Sequence, residues 1–455
     1  MNRNALYIGL ALLTSAWLGA CSGDSRSRGH SSGTSGTSGS SGAGASGAGA
    51  SGGSGATAGS GPIDPTGGSA GTIGGTRGGG TGGAGAGGTA GAAGSGNAAG
   101  EGGVGGDAGA GGASPDTVGP CDIYRDAGQP CVAAYSTVRR LSSTYTGPLY
   151  QIRSESSDQN TGTGGQTHDI GQTSAGLADA AQIDAICTET VCTVSLLYDQ
   201  SGRGNHLPVA KAGIQAGGPF AAYDDFEANA TKGPVTVAGH ELYSLYLEPR
   251  QGYRLPRLGD GVPRRTESQG IYLLADGTRA GRACCWEFGN VAPNPRTFNV
   301  SNALFFGGDI GDGSGAGEGP WFMADFEGGI WAGGSVAGDP GWGDINGPNP
   351  PNPSNPSLAV KFALGFLKTT STDWALRMAD VNAASSVTTA YAGALPKRVD
   401  NPGGIALGIN LANSNESWGT FYEGAVVAGF PSDDTELAVL ANIRELGYGD
   451  VRASP

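Results

Sequence analysis

The run Trp321-Phe322-Met323-Ala324-Asp325-Phe326-Glu327-Gly328-Gly329 sets two acids two positions apart among aromatic residues. Side chains of a strand alternate between faces. A strand here would place Met323, Asp325 and Glu327 on one wall and Phe322, Ala324 and Phe326 on a core side. Two carboxyls on one wall, with Trp321 and Trp331 nearby, suit the cleavage of a sugar. One carboxyl attacks or steadies the anomeric carbon, and aromatic rings cover the sugar's apolar face. The pattern fits a solvated outer strand face with incidental acids equally well.

Six cysteines fall in close pairs: Cys121 with Cys131, Cys187 with Cys192, and the adjacent Cys284 and Cys285. Proximity favours this local pairing among 15 possible ones. Neighbouring Cα atoms ~3.8 Å apart lie closer than an ordinary disulfide spans, so a bridge between Cys284 and Cys285 would form a rigid apolar knob. Two free thiols, or bridges elsewhere, stay open. His168, His206 and His240 have no ligand-like spacing to the cysteines, which argues against zinc. Glycine-rich Gly311–Gly319 lacks the Lys-Ser/Thr and the helix of a phosphate loop and reads as a turn-rich sheet edge. Asp309, Asp312 and Glu318 around it show no calcium-loop spacing. No metal or cofactor is expected. Gly29-His30-Ser31-Ser32-Gly33 matches a nucleophile elbow formally, without the strand–turn–helix that the motif needs.

Short apolar or alternating runs would position these residues: Val191–Tyr198, Gly270–Ala275, Trp321–Trp331, Gly404–Leu411 and Thr420–Phe430. Separated by Gly, Asn, Asp and Pro, they predict two packed antiparallel sheets. The Pro-rich Gly347–Ser357 should be an exposed loop. Asp433 with Glu436 begins a helix with an apolar stripe at Leu437, Leu440, Ala441 and Ile443, and a shorter helix is expected over Ala175–Ile186.

Of the chain's 87 glycines, 39 lie in residues 22–120, a stretch without Phe, Tyr, Trp, Leu or Met. Such a segment cannot bury enough apolar surface to offset the entropy of ordering it. Residues 1–20 read as a signal peptide. Leu18-Gly19-Ala20-Cys21 resembles a bacterial lipobox, which implies lipidation at Cys21 of an exported protein anchored at the cell surface or in the periplasm. Residues 21–119 then form a disordered tether with a reach on the order of 50–60 Å. Residues 120–450 form the folded module. Nearly all of the net charge of −14 sits on that module, which argues against nucleic acid and against electrostatic docking on anionic lipid, leaving neutral ligands such as sugars. The lipid is the one membrane attachment expected, and the module should be a monomer.

Pro120-Cys121-Asp122-Ile123-Tyr124, Gly147-Pro148-Leu149-Tyr150-Gln151, Tyr198-Asp199-Gln200-Ser201-Gly202, Ala283-Cys284-Cys285, Gly319 through Glu327 and Gly419-Thr420-Phe421-Tyr422-Glu423-Gly424 carry a resemblance over about Pro120 to Tyr448. The module resembles the catalytic domain of α-L-arabinofuranosidase B, glycoside hydrolase family 54. That resemblance implies an all-β jelly-roll (concanavalin-like) sandwich, the three local disulfides, and a sugar site that includes Cys284 and Cys285. It implies a retaining mechanism with Glu327 as nucleophile and Asp325 binding substrate, and it places Gly328, Gly329 and Leu411 in the sugar pocket. The family's acid/base aspartate falls on Ala412, an active-site tryptophan on Asp312, and the asparagine after the nucleophile on Gly328. Asp312 or Glu416 are the candidate substitute acids. The expected substrate is an arabinofuranosyl side chain on arabinoxylan or arabinan, a plant-type polysaccharide or its oligosaccharides. The alternatives are a non-catalytic furanoside-binding module and a hydrolase of another glycoside. The family's usual C-terminal β-trefoil has no expected counterpart here, so retention at the surface would fall to Cys21 and the tether.

Overall fold

A computed structural model describes residues 118–212, 223–293, 301–326, 328–410 and 416–449. Cys21, the leader and the glycine-rich stretch lie outside the described residues. In chain order the sandwich strands are β1 (Cys131–Ser136), β2 (Leu245–Leu247), β3 (Tyr253–Arg254), β4 (Gln269–Ala275), β5 (Glu287–Val291), β6 (Ser301–Gly307), β7 (Trp321–Phe326), β8 (Ile330–Trp331), β9 (Ala363–Thr369), β10 (Asp373–Asp380), β11 (Thr388–Ala394), β12 (Gly404–Leu407) and β13 (Gly419–Ala428). One sheet runs β1-β13-β4-β9-β10-β11, with β2 beside β13. The other runs β3-β12-β5-β6-β7-β8. All of these neighbours are antiparallel, as expected for a sandwich.

Alternation decides what each sheet buries. Ile271, Leu273, Leu367 and Trp374 of the first sheet meet Phe288, Leu304, Phe306, Phe322, Ala324 and Phe326 of the second in one core cluster. Gly365 on β9 lets the sheets approach closely, since a Cβ there would lie 2.4 Å from the Phe322 ring. The outer face of the first sheet is covered by helix. Tyr272, Leu274, Phe366 and Tyr422 pack with Val439, Leu440 and Ile443. The outer face of the second sheet carries Phe305, Met323 and Ile330 together with Cys284 and Cys285.

Among the described residues, three helices flank the sheets: α1 (Pro120–Asp126), which the sequence did not lead one to anticipate, α2 (Ala180–Cys187) and α3 (Asp433–Leu446). The second starts at Ala180 rather than Ala175, with Asp179 accepting from Gln182 N. The third is capped by Ser432, which accepts from Thr435 N at 3.1 Å. Glu436 is therefore released from a capping box. It turns inward to Arg377 and Lys368. All three local disulfides form: Cys121–Cys131, Cys187–Cys192 and Cys284–Cys285.

Two sequence expectations need correction. Trp321–Trp331 is a hairpin rather than one strand: β7 and β8 pair antiparallel, Asp325 opposite Ile330, and Phe326 N donates to Gly329 O at 3.2 Å. Gly328, at φ 83°, supplies the left-handed residue that such a tight reversal requires. The Pro-rich loop lacks regular structure, as expected, but it is not uniformly exposed. Asn355 is fully buried and donates to Phe322 O at 2.8 Å, while Asn352 donates to Ala332 O at 2.8 Å. These amides satisfy carbonyls at the sheet edge that would otherwise be orphaned.

Candidate active site

The outer face of β7 is the floor of the site. Met323, two residues before Asp325, packs with Trp321, Phe305, Ile330 and the bridged cysteines. Asp325 pairs in register with Ala303 on β6 and Ile330 on β8. It is 5% exposed, so its wall is enclosed rather than solvated, and the outer-strand alternative falls away. Burial raises the pKa of Asp325. Glu287, Ser301 and the Lys397 ammonium beside it work in the opposite direction.

The cysteine ring is held in place from the far side. Asn410 Nδ2 lies 3.9 Å from Cys284 Sγ. Arg254 on β3 donates to Asn410 O and, at 2.7 Å, to Ala292 O. One buried guanidinium therefore pins the chain just beyond β5 and β12. Burial pushes Arg254 down to about 10, against the pull of Asp225 and Glu287. The same arginine lines a cleft of about 680 Å³ with Gln151, Arg153, Ser195, Lys211 and Glu227.

Asp312 joins the same face. Its Oδ2 accepts from Ile330 N at 3.2 Å, at the residue paired with Asp325. Burial, then the charge of Asp325, push Asp312 up to about 7. Glu416 is raised by burial alone, with no neighbouring carboxylate contributing. Of the two substitute acids, Asp312 is the one that shares an electrostatic neighbourhood with Asp325. Glu327, Leu411 and Ala412 lie outside the described residues. Gly328 and Gly329 form the β7–β8 turn, and Lys397 Nζ lies 3.5 Å from where a side chain on Gly328 would begin.

Trp321 and Trp331 are not sugar platforms. Trp331 is fully buried in the inter-sheet core, with the Lys397 ammonium 5.0 Å from its ring centroid. Trp321 is almost fully buried and donates Nε1 to Ala316 O. Asp309 accepts from Gly311 N in its own turn. No group of three or more metal-binding side chains occurs among the described residues.

Two charged residues of the site escaped the sequence reading. Lys397 arrives from a loop distant in sequence and leaves no local signal. Glu287 was accessible in principle: it follows Cys285 by two positions, which on a strand means the same face. It is wholly buried, and its pKa is driven well above the carboxylate range by burial and by Asp325.

The sequence matches the family described as alpha-L-arabinofuranosidase B, catalytic, over residues 120–449. An alpha-L-arabinofuranosidase of Hypocrea jecorina is 40% identical over 340 residues, covering 72% of this chain and 63% of its own length. The chain belongs to the α-L-arabinofuranosidase B catalytic family. A second fungal relative, the arabinofuranosidase/B-xylosidase of Trichoderma koningii, is also 40% identical over the same coverage. A crystal structure of an arabinofuranosidase complexed with arabinofuranosyl-alpha-1,2-xylobiose superimposes with a TM-score of 0.65 at 36% identity. That alignment covers 73% of this chain and 66% of the other. The chain thus spans just under two thirds of the length of these relatives.

Proposed function

We propose that the protein is a retaining α-L-arabinofuranosidase that removes arabinofuranosyl groups from arabinoxylan or arabinan, with Asp312 as proton donor in place of the missing acid at Ala412. The observation that carries this reading is buried Asp325, on the strand whose outer face packs the bridged cysteines, with half-buried Asp312 bonded to its partner residue Ile330, in a chain of this family. The Glu327 carboxylate attacks the anomeric carbon while the bond to the leaving oxygen breaks, and that oxygen takes the Asp312 proton. Asp312, now a carboxylate, removes a proton from water. The water oxygen displaces Glu327 from the ester, and arabinose leaves with its configuration retained. Asp325 accepts from a sugar hydroxyl throughout.

The test is hydrolysis of an aryl α-L-arabinofuranoside and of arabinan, with the product anomer followed by NMR. Glu327→Ala should abolish turnover, and a variant as active as the parent ends this reading. Ala412 itself favours a second one, a furanoside-binding module: saturable binding of arabinan with no arabinose released over days selects it. In either case export with lipid attachment at Cys21 would hold the module at a membrane surface, and Cys21→Ser should release it to the soluble fraction.

A further inference from the structure

Glu287 is a wholly enclosed acid among the described residues of the site. Its exposure is zero, and neither carboxyl oxygen meets an N–H or O–H donor. The polar group beside it is another carboxyl, that of Asp325, itself 5% exposed. The register explains the meeting. Glu287 pairs with Phe305 and Phe305 with Met323, while Ala303, two residues before Phe305 on the same face of β6, pairs with Asp325. The two acids therefore face each other diagonally across β6.

A buried carboxylate without a donor is costly, and two of them in contact more so. The arrangement relaxes if one acid is protonated and donates to the other. The surroundings decide which. Asp325 has the Lys397 ammonium and Ser301 beside it, and these favour its charged form. Glu287 has Arg254, but that cation answers first to Asp225 and gives both main-chain carbonyls its N–H groups.

We infer that Glu287 is a positioning residue that stays protonated and donates a hydrogen bond to Asp325, which holds one Asp325 oxygen and leaves the other, charged, to accept from a sugar hydroxyl. This deepens the proposed function and rests on it for the role of Asp325, although the proton itself can be detected without turnover. Glutamine can replace such a donor, because its amide N–H reaches the same acceptor. Leucine cannot.

Infrared spectroscopy at pH about 8, above the range in which Asp312 ionises, should show a protonated-carboxyl C=O stretch. That band should persist in Asp312→Asn and vanish in Glu287→Gln. A band unchanged in Glu287→Gln, or no band in the parent, overturns the proposal whether or not the protein hydrolyses anything. In activity, Glu287→Leu should raise KM by about 10- to 100-fold, the worth of a hydrogen bond to a charged group, and Glu287→Gln should recover most of that loss. A folded Glu287→Leu variant with the parent's KM also overturns it. If Glu287→Leu fails to fold, the infrared comparison with Glu287→Gln decides alone. If the parent shows the band but no turnover, the hydrolase reading falls and the shared proton stands.

Discussion

A half-buried carboxyl beside a second carboxyl holds its proton to higher pH in the folded chain than in the unfolded one, and Asp312, raised from 3.8 to about 7, is such a group. Between those values the folded state binds a proton that the unfolded state has lost. The stability contributed by Asp312 is therefore fully present below 3.8 and lost as pH rises through about 7. Asp312→Asn should gain on the parent in Tm steadily over this window, as read by a melting series from pH about 4 to about 8. A constant difference would mean that Asp312 does not sense the buried charge. The same substitution should lower kcat/KM on arabinan by about 10²–10⁴-fold, less on an activated aryl glycoside, and should remove an alkaline limb near pH 7. Under the proposed role, Asp312 would weaken the fold near neutral pH in return for its proton transfer, the trade expected of an active site.

At the level of elements, α3 is fastened to the first sheet by more than its apolar stripe. Glu436, 2% exposed, meets Arg377 and, at 3.4 Å, Lys368. Removing a buried partner strands the others, so Glu436→Ala should cost about 3–5 kcal/mol in urea unfolding while Leu437→Ala, on an exposed position, should cost little. The sequence showed the helix but assigned Glu436 to its cap, because a capping box and an inward ion pair share the same spacing. Strand alternation made the faces of β7 legible, since a period of two needs no tertiary information. The hairpin reversal was missed although Gly328-Gly329 marked it, because apolar residues continue on both sides. Trp321 and Trp331 were read as sugar platforms because a tryptophan's face toward core or pocket depends on what packs above it. Lys397 reaches Asp325 from a distant loop that no local pattern encodes, whereas Glu287 meets it through cross-strand register, of which its spacing from Cys285 gave only the face.

At the scale of the whole molecule, a net charge of −14 surrounds a sheet face that already gathers Glu287, Asp312 and Asp325. The potential of so many fixed charges steers what approaches, and salt screens it. Arabinan bearing uronate-rich branches should therefore be processed more slowly than neutral arabinan at low ionic strength, and the gap should narrow as salt is added. The guest best matched to this floor is a cation with the outline of the sugar ring. A protonated imino analogue of arabinofuranose should bind more tightly than arabinose in calorimetry, and its advantage should widen as the medium is taken from acidic to mildly alkaline, where Asp312 sheds its proton and the pocket becomes a stronger trap for positive charge.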